Sequence, residues 1–464
     1  MLERHLAPPA EDHDVNVFEL SMIRIIAARV LWLAASGLGL ALLASCSRLP
    51  VGPDVQRLAG GVRSLARADT PRPYDVIAHL TQMDVSDALA KANASEVLGS
   101  IPELKLVLCR TPAGATTQSL ILRLQQDARV ISAEPNSRVM TAEAGQSSAA
   151  FSEGSHGWND VMDQTALVRI GAIQARTRAD GSGAKVAILD TGIDLDHPAL
   201  ANAIELPGIE PGITVDPGND RPQGVDTNLD GIIDGSLGHG THVAGIVHAV
   251  APQARLLAVR VLDSDGVGDA FGVARGIVLA VGRSPDVLNL SLGLSEVSQS
   301  IQAAVDYARA TGAVVVAAAG NRDQSTLDFP ASYPPVIAVA GTDAGDRKAA
   351  FSDYGDIVDI AAPSEGILST YWGGSYATWS GTSMAAPFVS GTAALLYSRL
   401  GEASPTSGAA VETLVRDGAM PLGAIDPVYA PLLGAGRVDA LGSVERLLAT
   451  GVGGETLLER RARH

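Results

Sequence analysis

Cysteine is almost missing from this 464-residue chain, which has two, Cys46 and Cys109. Both precede the stretch that carries the chemical motifs, so no disulfide staples that stretch and no cysteine-rich structural zinc site forms there. Basic charge is also short. Lys and Arg number 34 against 51 Asp and Glu, a formal net charge of -17. No block of Lys or Arg occurs outside the tail at 459–464. Phosphate backbones are held by clustered basic side chains, so nucleic acid is excluded as a partner. Sequence repeats of 20 to 50 residues are lacking, which excludes a solenoid or propeller. What remains is a chain with 46% apolar residues, long enough for two to three domains and a sizeable core. Its acidic balance suits a soluble exported protein.

From Met22 the chain reads MIRIIAARVLWLAASGLGLALLASC. Arg24 and Arg29 give a basic start, residues 30–44 are apolar, and the small Ala44 and Ser45 precede Cys46. This is the layout of a secretory signal, and its apolar run falls short of the roughly 20 residues that span a bilayer. Leu43-Ala44-Ser45-Cys46 resembles the bacterial lipobox, which implies that Cys46 is lipidated and becomes the new amino terminus. A plain signal cut nearby and an uncleaved anchor are the alternatives. The preceding Glu3, Glu11, Asp12, Asp14 and Glu19 do not suit a basic leader. Either the leader is unusual or translation begins at Met22.

A signal segment at 1–46 and a polar spacer at 47–73 are followed by residues with the texture of a folded domain. Strand patterns lie at 74–80, 104–108 and 129–133, and helical spacing at 119–126. Residues 141–157 are rich in Ala, Ser and Gly and read as a linker. We set a small α+β domain at 74–142, a linker at 143–157, a larger domain at 158–445 and a tail at 446–464. In the larger domain, near-continuous Val, Leu and Ile at 186–189, 256–261, 287–290, 314–318 and 336–340 alternate with helical patterns at 241–249, 271–281, 301–310 and 384–400. Strands apolar on both faces belong to parallel sheets, so the spacing predicts a doubly wound, mainly parallel α/β domain. Ligands of such sheets bind beyond the carboxyl ends of the strands.

Three reactive side chains fall at such ends or at helix starts. Asp190 follows the strand pattern Val186-Ala187-Ile188-Leu189; His239 and Ser383 each open an apolar helix. A serine hydroxyl needs a base to take its proton, an imidazole has the pKa to do so, and a buried carboxylate holds the imidazole in the right tautomer. Asn321, after the strand at 314–318, is placed to offer its amide with the Ser383 N–H as an oxyanion hole, aided by the dipole of the helix at Ser383. Each piece has a plainer reading. Asp-Thr-Gly occurs in aspartic proteases and phosphotransferases, Asn321 alone suits a turn, and His239 with His242 share a helix face like a metal pair. The H-E-x-x-H glutamate of zinc peptidases is missing, and His242 is expected to pack behind the site.

Taken together, VAILDTGID, GHGTHVAGIV, NLSLG, AAAGN and SGTSMAAPFVSG resemble the successive signatures of the subtilisin-like serine peptidases (subtilases), in the family's order Asp, His, Ser. The resemblance covers about 158–440. It implies an endopeptidase acting on polypeptides through an Asp190–His239–Ser383 triad and an acyl-enzyme. It also implies a groove lined by Ser291, Leu292, Gly293, Ala318, Ala319 and Gly320, in which substrate pairs as an added strand. Leu292 and the alanines point to an apolar or broad side-chain preference. Residues 74–139, above all Ala128 to Asn136, resemble the family's inhibitory prosegments, which implies an intramolecular inhibitor and a zymogen. The intact reactive set disfavours the alternative, a catalytically silent surface lipoprotein that only binds peptides.

One loop suggests Ca2+. Asp226, Asn228, Asp230 and Asp234 offer side-chain oxygens and Ile232 its carbonyl, like the first part of an EF-hand loop; Leu237 stands where the twelfth-position Glu would be. Localisation follows from the leader: a bacterial cell-envelope lipoprotein, or a protein secreted after processing.

Overall fold

The computed structural model describes residues 75–93, 95–143, 156–206, 219–401 and 405–451, all within one compact unit at 73–464. The signal segment, Cys46, the spacer, Tyr74, most of the linker and the end of the tail lie outside the described residues. Among the described residues no helix is long and apolar enough to cross a membrane.

The small domain contains β1 (Val76–Leu80), α1 (Ser86–Ala92), β2 (Val97–Ile101), β3 (Leu106–Cys109), α2 (Thr117–Gln125) and β4 (Val130–Pro135). Its antiparallel sheet has the order β2-β3-β1-β4. Alternation gives the sheet two apolar faces. Val76, Ala78 and Leu80 pack with Leu120, Ile121 and Leu124 of α2, which Thr116 and Ser119 cap reciprocally. Ile77, Ile101 and Leu106 point the other way and join the core of the larger domain. Cys109 is buried within the small core, and burial together with Asp75 pushes its thiol up to about 11.

Past β5 (Arg138–Met140) the larger domain runs β6 (Lys185–Asp190), β7 (Ile204–Glu205), α3 (His239–Val250), β8 (Arg255–Arg260), β9 (Val267–Asp269), α4 (Ala270–Val281), β10 (Val287–Leu290), α5 (Gln299–Ala310), β11 (Val314–Ala318), β12 (Val336–Thr342) and β13 (Ile360–Pro363). It closes with the hairpin β14 (Ile367–Tyr371) and β15 (Ser375–Trp379), then α6 (Thr382–Leu400), α7 (Pro405–Asp417) and α8 (Ala440–Ala449). The seven-stranded sheet is parallel throughout, in the order β13-β12-β11-β10-β6-β8-β7. Residues of β10, β11 and β12 are buried on both faces, as the apolar runs predict. Helices α3 and α6 cover one face and α4 and α5 the other. The chain leaves β6 toward β8 on one side and returns to β10 on the other, so the sheet's switch point lies between β6 and β10. The predicted doubly wound parallel class is therefore the observed one. The hairpin β14–β15 and the short strands β5, β7, β9 and β13 were not read from the sequence, because each is too short or too mixed to show a period.

The small domain is tied to the larger one through helix ends. The Glu134 carboxylate accepts from Ser298 Oγ (3.1 Å) and the backbone N–H groups of Gln299 (2.7 Å) and Ser300 (2.9 Å) at the start of α5. Asn136 Oδ1 accepts from Phe271 N–H (2.9 Å) at the start of α4. The first N–H groups of a helix have no partner inside it, and its amino end favours negative charge, so each contact stabilises. Replacing Glu134 by Ala, in a chain kept whole by Ser383→Ala, is expected to cost about 1 kcal/mol of cap energy. A lowered urea-unfolding midpoint is the readout.

Candidate active site

Asp190 is the last residue of β6, and its Oδ1 accepts from Thr191 N–H (2.7 Å) and from His239 Nδ1–H (2.7 Å). A carboxylate acceptor places the imidazole proton on Nδ1. His239 opens α3 and is fully buried, with the Trp379 ring edge-on at 5.2 Å. The start of α3 is held by Asp220, whose carboxylate accepts from Gly238 N–H (3.2 Å), Thr241 N–H (3.4 Å) and Thr241 Oγ1–H (2.8 Å). Burial outweighs those bonds and pushes the Asp220 carboxyl up to about 7. His242 packs behind the site as expected. Its Nε2 faces the carbonyls of Ile367 (3.0 Å) and Ala377 (3.1 Å), and burial pushes it down to about 3, so it stays neutral.

Ser383 stands in the first turn of α6 and Asn321 just past β11. Asn321 Oδ1 accepts from the N–H and Oγ1–H of Thr382 (2.9 Å each), which turns its Nδ2 donor toward Ser383. Ser291 Oγ donates to the Ser383 carbonyl (2.9 Å), and its own carbonyl lies 3.3 Å from Ser383 Oγ.

These groups converge on one carboxylate, that of Glu143. Ser383 Oγ–H donates to its Oε2 (2.6 Å), and His239 Nε2 lies 3.1 Å from the same oxygen. Asn321 Nδ2–H (3.0 Å) and Ser383 N–H (3.4 Å) both aim at Oε1. The carboxylate passes so close to Gly381 that a Cβ there would collide with Oε1, so only glycine fits. Burial works to raise the Glu143 carboxyl, but His239, Ser383 and Asn321 outweigh it and hold the group below its ordinary value. Burial likewise works to lower His239, and Asp190 and Glu143 overcome it, raising the imidazole to about 10. His239 is thus buried between two carboxylates, both of which favour its protonated form.

The backbone leading to Glu143 lies as a strand in a groove. β5 pairs antiparallel with β9, Met140 exchanges both backbone bonds with Gly293 (3.0 and 2.8 Å), and Thr141 N–H donates to the Gly266 carbonyl (2.9 Å). An extended chain thus enters between the segments 266–269 and 291–293 and delivers its next residues to Ser383. Oε1 of Glu143 marks where the oxygen of a carbonyl under attack would receive two N–H donors.

The structure brings Asp190, His239, Ser383 and Asn321 together as the sequence suggested. Of the expected groove residues, Ser291, Gly293 and Gly320 lie along it. Leu292, Ala318 and Ala319 are buried as well, Leu292 and Ala319 in one core together with Val139 of the entering chain and Ala318 in the other. The loop assigned to calcium does not gather its ligands. Asp234 turns back to the N–H groups of Gln223, Gly224 and Val225, Asn228 and Asp230 bond each other, and Ile232 N–H donates to Asp230. Among the described residues no group of three or more His, Cys, Asp or Glu is placed to hold a metal ion. Asp226 Oδ1 is buried and has no hydrogen-bond partner among the described residues. The residue that sequence reasoning missed is Glu143, which opens the segment read as a linker.

Residues 181–436 match the model of the subtilase family. Thermitase from Thermoactinomyces vulgaris is 44% identical over 254 residues, 53% of this chain and 85% of that protein. Subtilisin BL from Lederbergia lenta is 42% identical over 240 residues, 50% of this chain and 82% of that protein. Among solved structures, fervidolysin from Fervidobacterium pennivorans, described as a keratinolytic enzyme related to subtilisin, superposes with a TM-score of 0.64 at 26% identity. That likeness covers 80% of this chain and 61% of fervidolysin, so the chain spans less than two thirds of fervidolysin's length.

With Glu143 on Ser383, a fluorophosphonate reaches the hydroxyl only after the carboxylate leaves. Freshly isolated uncut chain is expected to label at Ser383 at least about tenfold more slowly than its Glu143→Ala variant, since a hydrogen bond to a charged group is worth about 1.5–3 kcal/mol. Mass spectrometry of the labelled peptide over time gives the two rates.

Proposed function

The chain belongs to the subtilase family, and on that premise we propose that it is a serine endopeptidase made as a self-inhibited zymogen. The observation that carries the reading is the convergence of Ser383 Oγ, His239 Nε2, Asn321 Nδ2 and Ser383 N–H on a single carboxylate. When a peptide carbonyl takes that place, His239 accepts the Ser383 proton as Oγ attacks. Asn321 and the Ser383 N–H hold the developing oxyanion, and Asp190 stabilises the imidazolium. His239 then protonates the leaving amine, and an acyl group remains on Ser383. Water, deprotonated by His239, releases it by the reverse sequence. Polypeptides bind as an added strand on the 266–269 and 291–293 backbones, with Gly320 beside Asn321.

Residues 74–142 act as the inhibitor. Glu134 and Asn136 fix the small domain on α5 and α4, and residues 138–142 occupy the groove in the manner of substrate. Glu143 keeps the uncut chain in a resting pose, because its side chain, not a peptide carbonyl, fills the oxyanion position. Maturation follows when the carboxylate withdraws and the chain is cut close to Ala142, within the segment 141–157. The leader supports export, and Cys46 supports a lipid anchor on the prosegment side of that cut, so maturation frees the catalytic domain from the membrane. Calcium at the 226–234 loop is supported by the donor chemistry of Asp226, Asn228, Asp230 and the Ile232 carbonyl, and by the unbonded Asp226 oxygen. Asp234, already bonded, is not part of that set as folded.

Ser383→Ala is expected to abolish casein hydrolysis and leave the chain full length; equal hydrolysis by both proteins would refute the assignment. Asn321→Ala should lower kcat about 100- to 1000-fold, a figure that comes from subtilisin itself, with a much smaller change in KM. Excess calcium should raise the melting temperature and EDTA lower it by mass action on the folded state. A melting curve indifferent to both would remove calcium from the account.

A further inference from the structure

Asp328 and Asp353 stand beside the groove and take no part in the reaction above. Both are buried, and both carboxylates lie behind glycine. Asp328 Oδ2 is 3.2 Å from where a Cβ on Gly293 would stand and 3.0 Å from a Cβ on Gly320; Asp353 Oδ2 is nearer still to the second point. Those two glycines flank the bound chain. Gly293 pairs with Met140, and Gly320 adjoins Asn321, which holds Glu143. Between Met140 and Glu143 along that wall, the chain passes Thr141, bonded to the opposite side at Gly266, and Ala142.

The two acids are unequally satisfied. Asp353 Oδ1 accepts from the N–H groups of Arg322 (2.9 Å) and Gln324 (3.0 Å), while Oδ2, in a fully buried side chain, has no hydrogen-bond partner among the described residues. Asp328 is bonded by the Arg322 guanidinium. Burial raises both carboxyls above their ordinary value, and for Asp353 the Asp328 charge adds to this. Two carboxylates and one guanidinium leave the pocket one positive charge short. The Arg322 side chain is 42% exposed and so has solvent to swing into.

Resting on the endopeptidase reading, we propose that this is the pocket for the residue on the amino side of the cleaved bond, and that it takes lysine or arginine. A long, thin stem passes between the two glycines, and its cation meets Asp353 Oδ2 and, by displacing Arg322, Asp328. Arg322 is the pocket's stand-in ligand, a guanidinium already seated on one of the two acids. An apolar side chain would seal two carboxylates from water with one cation between them, which is costly, and an acidic one would add a third like charge. Ala142, with a single methyl group, brings no cation to either acid. The apolar preference expected from Leu292 gives way to a basic one.

The test uses matured enzyme, its competent sites counted by fluorophosphonate, and tetrapeptide anilides that differ only in the residue before the cleaved bond: Lys, Arg, Ala, Phe or Glu. The expected result is a kcat/KM for Lys and Arg at least about tenfold above that for Phe, since buried polar groups reject a side chain that leaves them unpaired. Asp328→Asn and Asp353→Asn should each cut the Lys-to-Ala ratio about tenfold, and Arg322→Gln should raise it by removing the internal competitor. Because Asp353 also holds the 322–324 backbone, Asp328→Asn and Arg322→Gln carry the test if Asp353→Asn does not fold. Enzyme that labels fully but prefers Phe, or keeps one Lys-to-Ala ratio through Asp328→Asn and Arg322→Gln, overturns the pocket. Protein that neither labels nor cleaves overturns the peptidase reading and the pocket with it.

Discussion

The hydrogen bond from His239 Nδ1 to Asp190 Oδ1 (2.7 Å) is made where neither side chain meets water. A buried carboxylate is tolerated only when it is paired and bonded, so this contact dictates much of what surrounds it. It requires α3 to begin at the carboxyl end of β6. Asp220 supplies that start by bonding Gly238 and Thr241, and Trp379 closes the imidazole off from the other side. The sheet then does the rest. With β10 in parallel register beside β6 and β11 beside β10, the residues that follow, Ser291 and Asn321, arrive at the same edge, and α6 presents Ser383 there. Reactive geometry is thus a consequence of strand order.

The same edge explains how the precursor is kept silent. The groove backbone that would pair with substrate pairs with residues 138–141, and the donors that would stabilise an oxyanion bind the Glu143 carboxylate. Glu143 couples the two carboxylates through His239: it raises the imidazole, and the imidazole lowers it. Inhibition and catalysis draw on one set of hydrogen bonds, so a chain cannot be fully held and fully active at once. Glu134 and Asn136 secure the arrangement from a distance, by completing helix ends that the larger domain leaves open.

How much of this the sequence shows depends on range. Val186 to Leu189, Val287 to Leu290 and Val314 to Ala318 are continuous apolar runs, so buried parallel strands are legible, and Asp190 and Asn321 are then placed at their ends. His239 and Ser383 sit in glycine-rich helix starts with their own local signature. Glu143 carries no such mark. It lies among small residues that read as a linker, and its role depends on a serine 240 positions away. Asp328 and Asp353 come from separate loops and meet only because Gly293 and Gly320 leave room. The 226–234 loop has the composition of a cation site, yet its Asp234 finds backbone partners at 223–225 that no spacing rule anticipates.

The central claim is that a Glu143 carboxylate lies between His239 and Ser383 in the uncut chain. The most direct measurement is a 15N NMR titration of the His239 ring in a chain kept whole by Ser383→Ala, with and without Glu143→Gln. The account predicts a ring that stays doubly protonated at pH 8 and loses its proton near the raised value of about 10, with the Glu143→Gln ring titrating lower. A His239 ring already neutral at pH 8, unmoved by Glu143→Gln, would contradict it.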